Sequence, residues 1–432
     1  MIRRIRIDGY KSLRGVELAL RPLTLIIGPN AGGKSNLFDA LGLLSRMATR
    51  PSLADAFREH RGDPLEAFYY GYGEEGLAGL LRRDHVEFTM EVDVELSDTA
   101  IRRAEQLMDI YRGGNGELRP AKSSRRITER LLRYRLTVAI HPKTGVLRVQ
   151  DESLRALTEV GGELRPDERR RPFLERIGNR LRLRMEGQAR PMEYEIGLNH
   201  TIVSLPVYPP HYPHLVAFRE ELASWQFYYF EPRQMREESP VKEVEVLTPS
   251  GGDLAAFYYT LQRRDPLQFD NLQRVLRALV PSVEGFSTEL TDEGKVRLKI
   301  REGGVDFSAR LISEGTLRLL GLIAILSPSN PAAVIGLEEP ENGVHPRRLK
   351  IIADLLREAS RRRQVLINTH SPLLPDYLGD EALLIRCVRR DGSSSFKELT
   401  EAVGLFRRPA VGEALEEEEP SISQRILRGD WG

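Results

Sequence analysis

Apolar and polar residues alternate from the start of the chain. Ile2, Ile5 and Ile7 are spaced as one strand, and Val16, Leu18 and Leu20 as a second. Leu23-Thr-Leu-Ile-Ile27 is unbroken and runs into glycine, the pattern of a strand buried on both faces. Leu37, Ala40, Leu41 and Leu44 then recur at helical spacing. Residues 86–96 alternate strictly through Val86, Phe88, Met90, Val92, Val94 and Leu96, which predicts a half-buried antiparallel strand. From 97 to 226 the texture is less regular. An arginine-rich helix is expected near 101–112, a glycine-rich break at 113–116, strands at 133–140 and 181–186, and a Pro/Tyr/His loop over 205–213. Order resumes at Phe227-Tyr-Tyr-Phe230, which reads as core, followed by helices at 252–263 and 268–279 and a strand at 296–300. The pattern then predicts a helix at 315–326, a strand at 333–338, a helix at 346–360 and a strand at 364–369. Such alternation of helix and strand implies an α/β fold with parallel strands. No heptad run is long enough for a coiled coil.

Composition narrows the class. Of 432 residues, 41% are hydrophobic and 29% charged, which excludes a disordered chain. The longest apolar stretch, 319–326, falls far short of the ~20 residues that span a bilayer, so no membrane association is expected. The N-terminus lacks the apolar core of a signal peptide, and a cytoplasmic location is expected. The single cysteine, Cys387, excludes an intramolecular disulfide and a multi-cysteine metal site. Net charge is +1, yet residues 101–190 carry 22 basic and 12 acidic side chains. That asymmetry suits an anionic partner. An acidic run, Glu416 to Glu419, marks the tail.

Four motifs carry chemistry. Gly28-Pro-Asn30-Ala-Gly32-Gly33-Lys34-Ser35 fits the phosphate-loop pattern and sits between an apolar strand and an amphipathic helix. Its glycines let backbone N–H groups turn toward phosphates, and the helix start adds a favourable dipole. Lys34 is expected on the β- and γ-phosphates and Ser35 on Mg²⁺. Second, the apolar strand at 334–338 ends in Glu338 and Glu339. The first acid would hold Mg²⁺ through water, and the second would orient and deprotonate the attacking water. Third, Ser313 and Gly315 open the 315–326 helix. Alone they read as a plain N-cap, and only beside the other motifs as an anion site. Fourth, His370 ends the 364–369 strand, where it could reach a γ-phosphate or be incidental.

Taken in order, these motifs resemble the heads of ABC-type ATPases. Gly-Lys-Ser-Asn36, Ile-Ser-Glu-Gly-Thr316 and Glu338-Glu-Pro-Glu-Asn-Gly-Val-His-Pro346, with Gly9-Tyr-Lys-Ser-Leu13, resemble the SMC/RecF-like branch and, within it, the OLD-type ATPases often filed as AAA-family. The resemblance covers about 1–96 and 227–390. It implies an ABC-type P-loop NTPase head with a mixed sheet, interrupted by a smaller inserted α+β subdomain. The implied domains are a first lobe at 1–96, a basic insert at 97–226, a second lobe at 227–390 and a tail at 391–432. It also implies ATP and Mg²⁺ as cofactors, with Gly28, Asn30, Gly32, Gly33, Lys34, Ser35 and Asn36 on the nucleotide. Two heads of a homodimer would sandwich two ATP molecules, with Ser313 and Gly315 acting in trans and Asn342 and Gly343 near the seam. Two departures stand out. Glu338 replaces the usual aspartate, and the glutamine that completes the Mg²⁺ shell has only Gln234 as a candidate.

Other features point less sharply. His211, Tyr212 and His214, set among prolines and without paired carboxylates, read as a surface loop rather than a metal site. No Asp-x-Asp follows His370, so any nuclease or toxin would be a separate protein. Arg125, Arg126, Arg133, Arg135, Arg169, Arg170 and Arg171 fit either duplex DNA or pairing with acids of the protein. The function expected is an ATP-hydrolysing dimeric switch in DNA maintenance or anti-phage defence. The alternative is a slowly hydrolysing, nucleotide-gated scaffold for a separate partner. The ATPase subunit of a membrane transporter is a third reading, opposed by the long insert and the Ser-Glu-Gly-Thr signature.

Overall fold

The computed structural model describes residues 1–69, 76–112, 127–187 and 190–399. The glycine-rich break, Arg125, Arg126 and the Glu416–Glu419 run lie outside them. The chain divides into two compact units. The first comprises residues 1–21, 29–225 and 387–397; the second comprises 22–28, 226–386 and 398 onward.

The first unit is built on an antiparallel sheet. From one edge its strands are Met192–Glu195, Arg180–Leu183, Leu174–Ile177, Val146–Val160, Leu131–His141, Val86–Glu95, Ile2–Asp8 and Val16–Ala19. Ile5 pairs with Leu18 on one side and Val92 on the other, so the alternating aliphatics share one buried face. Residue 97 does not end the sheet, because Leu131–His141 is hydrogen-bonded directly to Val86–Glu95. Helix Lys34–Thr49 packs on Pro213–Ala223.

That second helix corrects the loop reading at His214. Pro213 takes the first helical position, and residues 213–218 are buried on every side. Such a helix has no polar stripe, so periodicity does not reveal it. His214 is 1% exposed, stacks on Phe173 at 4.5 Å and stands 2.6 Å from Glu186 through Nδ1. Its Nε2 accepts the backbone N–H groups of Thr128 and Glu129.

The second unit holds the strands expected at 333–338 and 364–369, which run parallel to Leu23–Ile27 and to an unforeseen strand at Leu383–Arg390. Trp225–Tyr228, Val334–Glu338, Gln364–Thr369, Leu23–Ile27 and Leu383–Arg390 are neighbours in that order. Glu338 pairs with Asn368, and Thr369 with Ile27, so the acidic strand end, the histidine strand end and the start of the glycine loop share one edge. Helices Glu314–Ile325 and Leu349–Ser360 complete the α/β alternation. A smaller antiparallel sheet, Ser239–Pro240, Lys295–Glu302, Val283–Leu290 and Val305–Ser308, lies with helices Leu254–Arg264 and Pro266–Leu279. The core of this unit includes Tyr228, Tyr258, Phe286, Leu320, Ile335 and Ile367.

Candidate functional site

The glycine loop presents an uncapped helix. Gly33 precedes Lys34–Thr49 in a left-handed conformation (φ 103°), no side chain caps the first turn, and no acid lies in it. A helix that starts on glycine with no acid in its first turn is suited to an external anion. Ala31 also has positive φ, 61°. Lys34 is 6% exposed and its Nζ donates to the Pro29 carbonyl at 2.9 Å. The loop is propped from outside. Cys387 Sγ and Ser394 Oγ both donate to the Gly32 carbonyl, at 3.2 and 2.7 Å. Ser394 Oγ is 2.7 Å from Ser12 Oγ, and Asn36 Nδ2 donates to Ser12 Oγ at 2.7 Å. Asn36, expected on the nucleotide, thus bonds the Gly9–Leu13 segment in this structure. Burial pushes the Cys387 thiol up to about 12, against a smaller pull from Lys34. It stays a neutral donor at ordinary pH.

The acidic strand end belongs to the second unit. Glu339 has φ 48°, a strained conformation for a non-glycine residue, and its N–H donates to the Asn368 carbonyl at 2.8 Å. Such a conformation costs about 1–3 kcal/mol and clusters at working sites. His370 Nε2 stands 3.0 Å from Glu339 Oε1, while His370 Nδ1 stands 2.9 Å from the Gly28 carbonyl. Asn342 Nδ2 donates to Glu339 Oε2. The structure thus brings Gly28, Glu339, His370 and Asn342 together.

The helix start at Ser313 is occupied differently from that at Gly33. Ser313 Oγ accepts the Thr316 N–H at 3.2 Å and pairs with Thr316 Oγ1 at 2.8 Å. Glu314 fills the first turn, 3.8 Å from Arg236. Within one chain Ser313 is therefore an N-cap, and Gly315 packs on the turn after Glu339. Gln234 lies in the segment after Trp225–Tyr228, the strand beside Val334–Glu338; its Nε2 donates to Glu231 and its Oε1 accepts from Ser250.

Sequence reasoning did not single out Ser394, Cys387, Glu341 or Thr369 for this chemistry. The Gly9-Tyr-Lys-Ser-Leu13 match was the one signal pointing toward Ser12. Several arginines of the basic stretch are matched by carboxylates of their own unit. Arg133 meets Asp93 at 2.6 Å, Arg170 meets Glu129 at 2.8 Å, Arg169 meets Asp167 at 3.1 Å, and Arg135 meets Asp151 at 3.8 Å. Among the described residues no cluster of three His, Cys, Asp or Glu forms a metal cage, and no helix is long and apolar enough to cross a membrane.

Comparison with known proteins agrees with this architecture. A crystal structure of the SmcHead bound to the C-winged helix domain of ScpA superposes with TM-score 0.55, covering 92% of this chain and 97% of that one at 14% identity. An Smc head domain with an extended coiled coil, bound to the C-terminal domain of ScpA derived from Pyrococcus furiosus, gives 0.53 over 96% and 99% at 13% identity. The fold is therefore similar to that of an Smc head domain. The DNA replication and repair protein RecF of Corynebacterium jeikeium (strain K411) is 34% identical over 62 residues, 14% of this chain. The match spans 15% of that relative's length. The family described as "AAA domain, putative AbiEii toxin, Type IV TA system" matches residues 23–181 and 193–376. With the glycine loop, the acidic strand end and the strand-end histidine all inside the matched residues, the chain belongs to this AAA-domain family.

Proposed function

We propose that the protein is an ATP-dependent switch that hydrolyses ATP through Glu339. The observation that carries this reading is the position of His370. One ring nitrogen meets the carbonyl of Gly28, the first residue of the phosphate loop, and the other meets the Glu339 carboxylate. A histidine so placed suits a sensor of a γ-phosphate beside the acid that would activate water. The uncapped helix start at Lys34 supports phosphate binding by Gly28, Asn30, Gly32, Gly33, Lys34 and Ser35. The donor set suits Mg²⁺, which keeps most of its water and phosphate ligands and needs few from the protein: the Ser35 hydroxyl and the Glu338 carboxylate. Bound with the nucleotide, the ion would neutralise phosphate charge. Ser313 and Gly315 would act on the nucleotide of a second subunit, and ATP would close the homodimer. The role we assign is DNA maintenance or anti-phage defence in the cytoplasm.

A second reading, a slowly hydrolysing scaffold that gates a separate toxin or nuclease, draws on the arginine pairing, which favours a protein partner over DNA. Mg-ATP hydrolysis by the purified protein, with and without linear duplex DNA and with Glu339→Gln as the blank, separates the two. A glutamate-dependent rate that DNA raises supports the DNA-linked switch. A low rate indifferent to DNA supports the scaffold. No ATP binding at all refutes both.

A further inference from the structure

Glu341 lies two residues beyond Glu339 and has no part in the roles above. Its Oε1 accepts the Thr369 hydroxyl and the backbone N–H of Ser371, the latter at 3.2 Å. The same Ser371 N–H is 2.9 Å from Thr369 Oγ1. Its Oε2 is buried and has no hydrogen-bond partner among the described residues. Burial pushes the carboxyl above the usual carboxylate range, and the Thr369 and Ser371 donors oppose that shift.

Thr369 and Ser371 flank His370. A single oxygen that takes donors from both neighbours removes freedom from the residue between them. The adjoining contacts act on the same two segments: Glu339 N–H reaches the Asn368 carbonyl, and Asn342 reaches Glu339. A buried carboxyl with one oxygen unpaired is a stability penalty that an apolar residue of similar volume would avoid. That penalty is offset if the accepting oxygen has a positional task.

We propose that Glu341 is a positioning residue that locks the segment carrying His370 to the turn carrying Glu339, and so sets the pairing between them. The inference rests on the ATPase reading, so its test has one arm that does not need turnover. Three variants are compared. Glu341→Gln keeps an acceptor for Thr369 and Ser371. Glu341→Ala removes it. Thr369→Val removes the hydroxyl while preserving shape. In steady-state ATPase assays Glu341→Ala should lose about tenfold to 100-fold in kcat with KM for ATP little changed, because misplacement by about 1 Å carries penalties of that order. Glu341→Gln should stay within about threefold of the native kcat, and Thr369→Val should fall between the two. The second arm is the nucleotide-free imidazole NMR spectrum, with the His370 line identified by its loss in His370→Ala. That line should move in Glu341→Ala and Thr369→Val and hold in Glu341→Gln. Native kcat together with an unmoved His370 line in Glu341→Ala would overturn the proposal. So would equal losses in the alanine and glutamine variants. Should Glu341→Ala fail to fold, the contrast between Thr369→Val and Glu341→Gln decides alone. A wild-type protein without ATPase activity refutes the parent reading and leaves the NMR arm to judge the positioning claim.

Discussion

A Cβ atom on Gly343 would lie 2.6 Å from the Cα of Gly315. The start of the Glu314–Ile325 helix and the turn after Glu339 therefore meet backbone to backbone, with no side chain between them. Gly343 also has φ 77°, which any L side chain adopts only with strain. Gly343→Ala should push the turn off the helix start and carry Asn342, and with it Glu339, out of place. We expect kcat to fall by about tenfold or more while ATP affinity changes little. Gly303→Ala is the control, since Gly303 has φ 59° but open space around it, and its activity should be retained. Equal activity in both variants would show that the contact is incidental.

Glu339→Gln keeps the volume of the side chain and the Asn342 neighbourhood but removes the base. Turnover should drop about 10²- to 10⁴-fold, the usual range for a positioned general base, with ATP binding intact by calorimetry. Unchanged turnover would assign water activation to another group.

The Gly32 carbonyl takes two donors, Cys387 and Ser394, from two successive strands, Leu383–Arg390 and Ser393–Glu398, more than 350 residues away. Ser394→Ala should loosen the phosphate loop and raise KM for ATP by about threefold to tenfold, in line with a net hydrogen-bond contribution near 1 kcal/mol. Gly33→Ala is harsher, because its Cβ would collide with Ser394 and Ser12 and its φ is 103°. Nucleotide binding should be lost. Binding retained by Gly33→Ala would mean that the loop rearranges on contact with ATP.

Glu152 gives the first unit a pH signature. It is fully buried, accepts the Tyr134 hydroxyl and the N–H groups of Ile202 and Val203, and is raised by burial to about 7. The folded state thus holds a proton that the unfolded chain releases near 4.5, so this contribution is full below that pH and is lost as pH rises through 7. His60, lowered by burial to about 4, acts oppositely: the unfolded chain gains a proton below 6.5, and stability is lost as pH falls toward 4. Because the two windows overlap, the Glu152 contribution is read from a difference. The gap in stability between wild type and Glu152→Gln should shift by about 2.5 kcal/mol between pH 5 and pH 8, with wild type losing more. A constant gap would place the Glu152 proton outside that range.

Duplex DNA would have to displace carboxylates from Arg133, Arg135, Arg169 and Arg170. We expect weak binding whose log–log salt dependence corresponds to fewer than about three released counterions. A slope equivalent to six or more would show that these arginines exchange their carboxylates for phosphates.

The alternation from Glu314–Ile325 to Gln364–Thr369 in the second unit was legible from periodicity, because each of those elements buries a regular face or a continuous run, whereas strands Val283–Leu290 and Leu383–Arg390 were not foreseen. The phosphate loop, the two acids at 338 and 339 and the helix start at Ser313 were legible for a related reason. Their chemistry is local, and covalent spacing alone sets it. Periodicity reports only what one element buries, and so the helix that starts at Pro213, buried on every side through Phe218, left no trace in it.

Residues joined across long sequence separations had no such signal. Asn342 on Glu339 is a local turn, yet its direction depends on where Asn368 holds the Glu339 backbone. Glu341 reaches Thr369 only because the Val334–Glu338 and Gln364–Thr369 strands lie side by side in one register. Ser394 and Cys387 meet Gly32 only after the chain returns to the loop it left at its beginning. The arginines of 101–190 carry the same charge in the sequence whether they face phosphate or carboxylate, and strand pairing sets Arg133 beside Asp93. The sequence by itself determined the chemistry on offer, since residue type and local spacing are covalent. The tertiary structure decided which groups hold which, since hydrogen bonds and ion pairs between distant segments exist only once the sheet register is set.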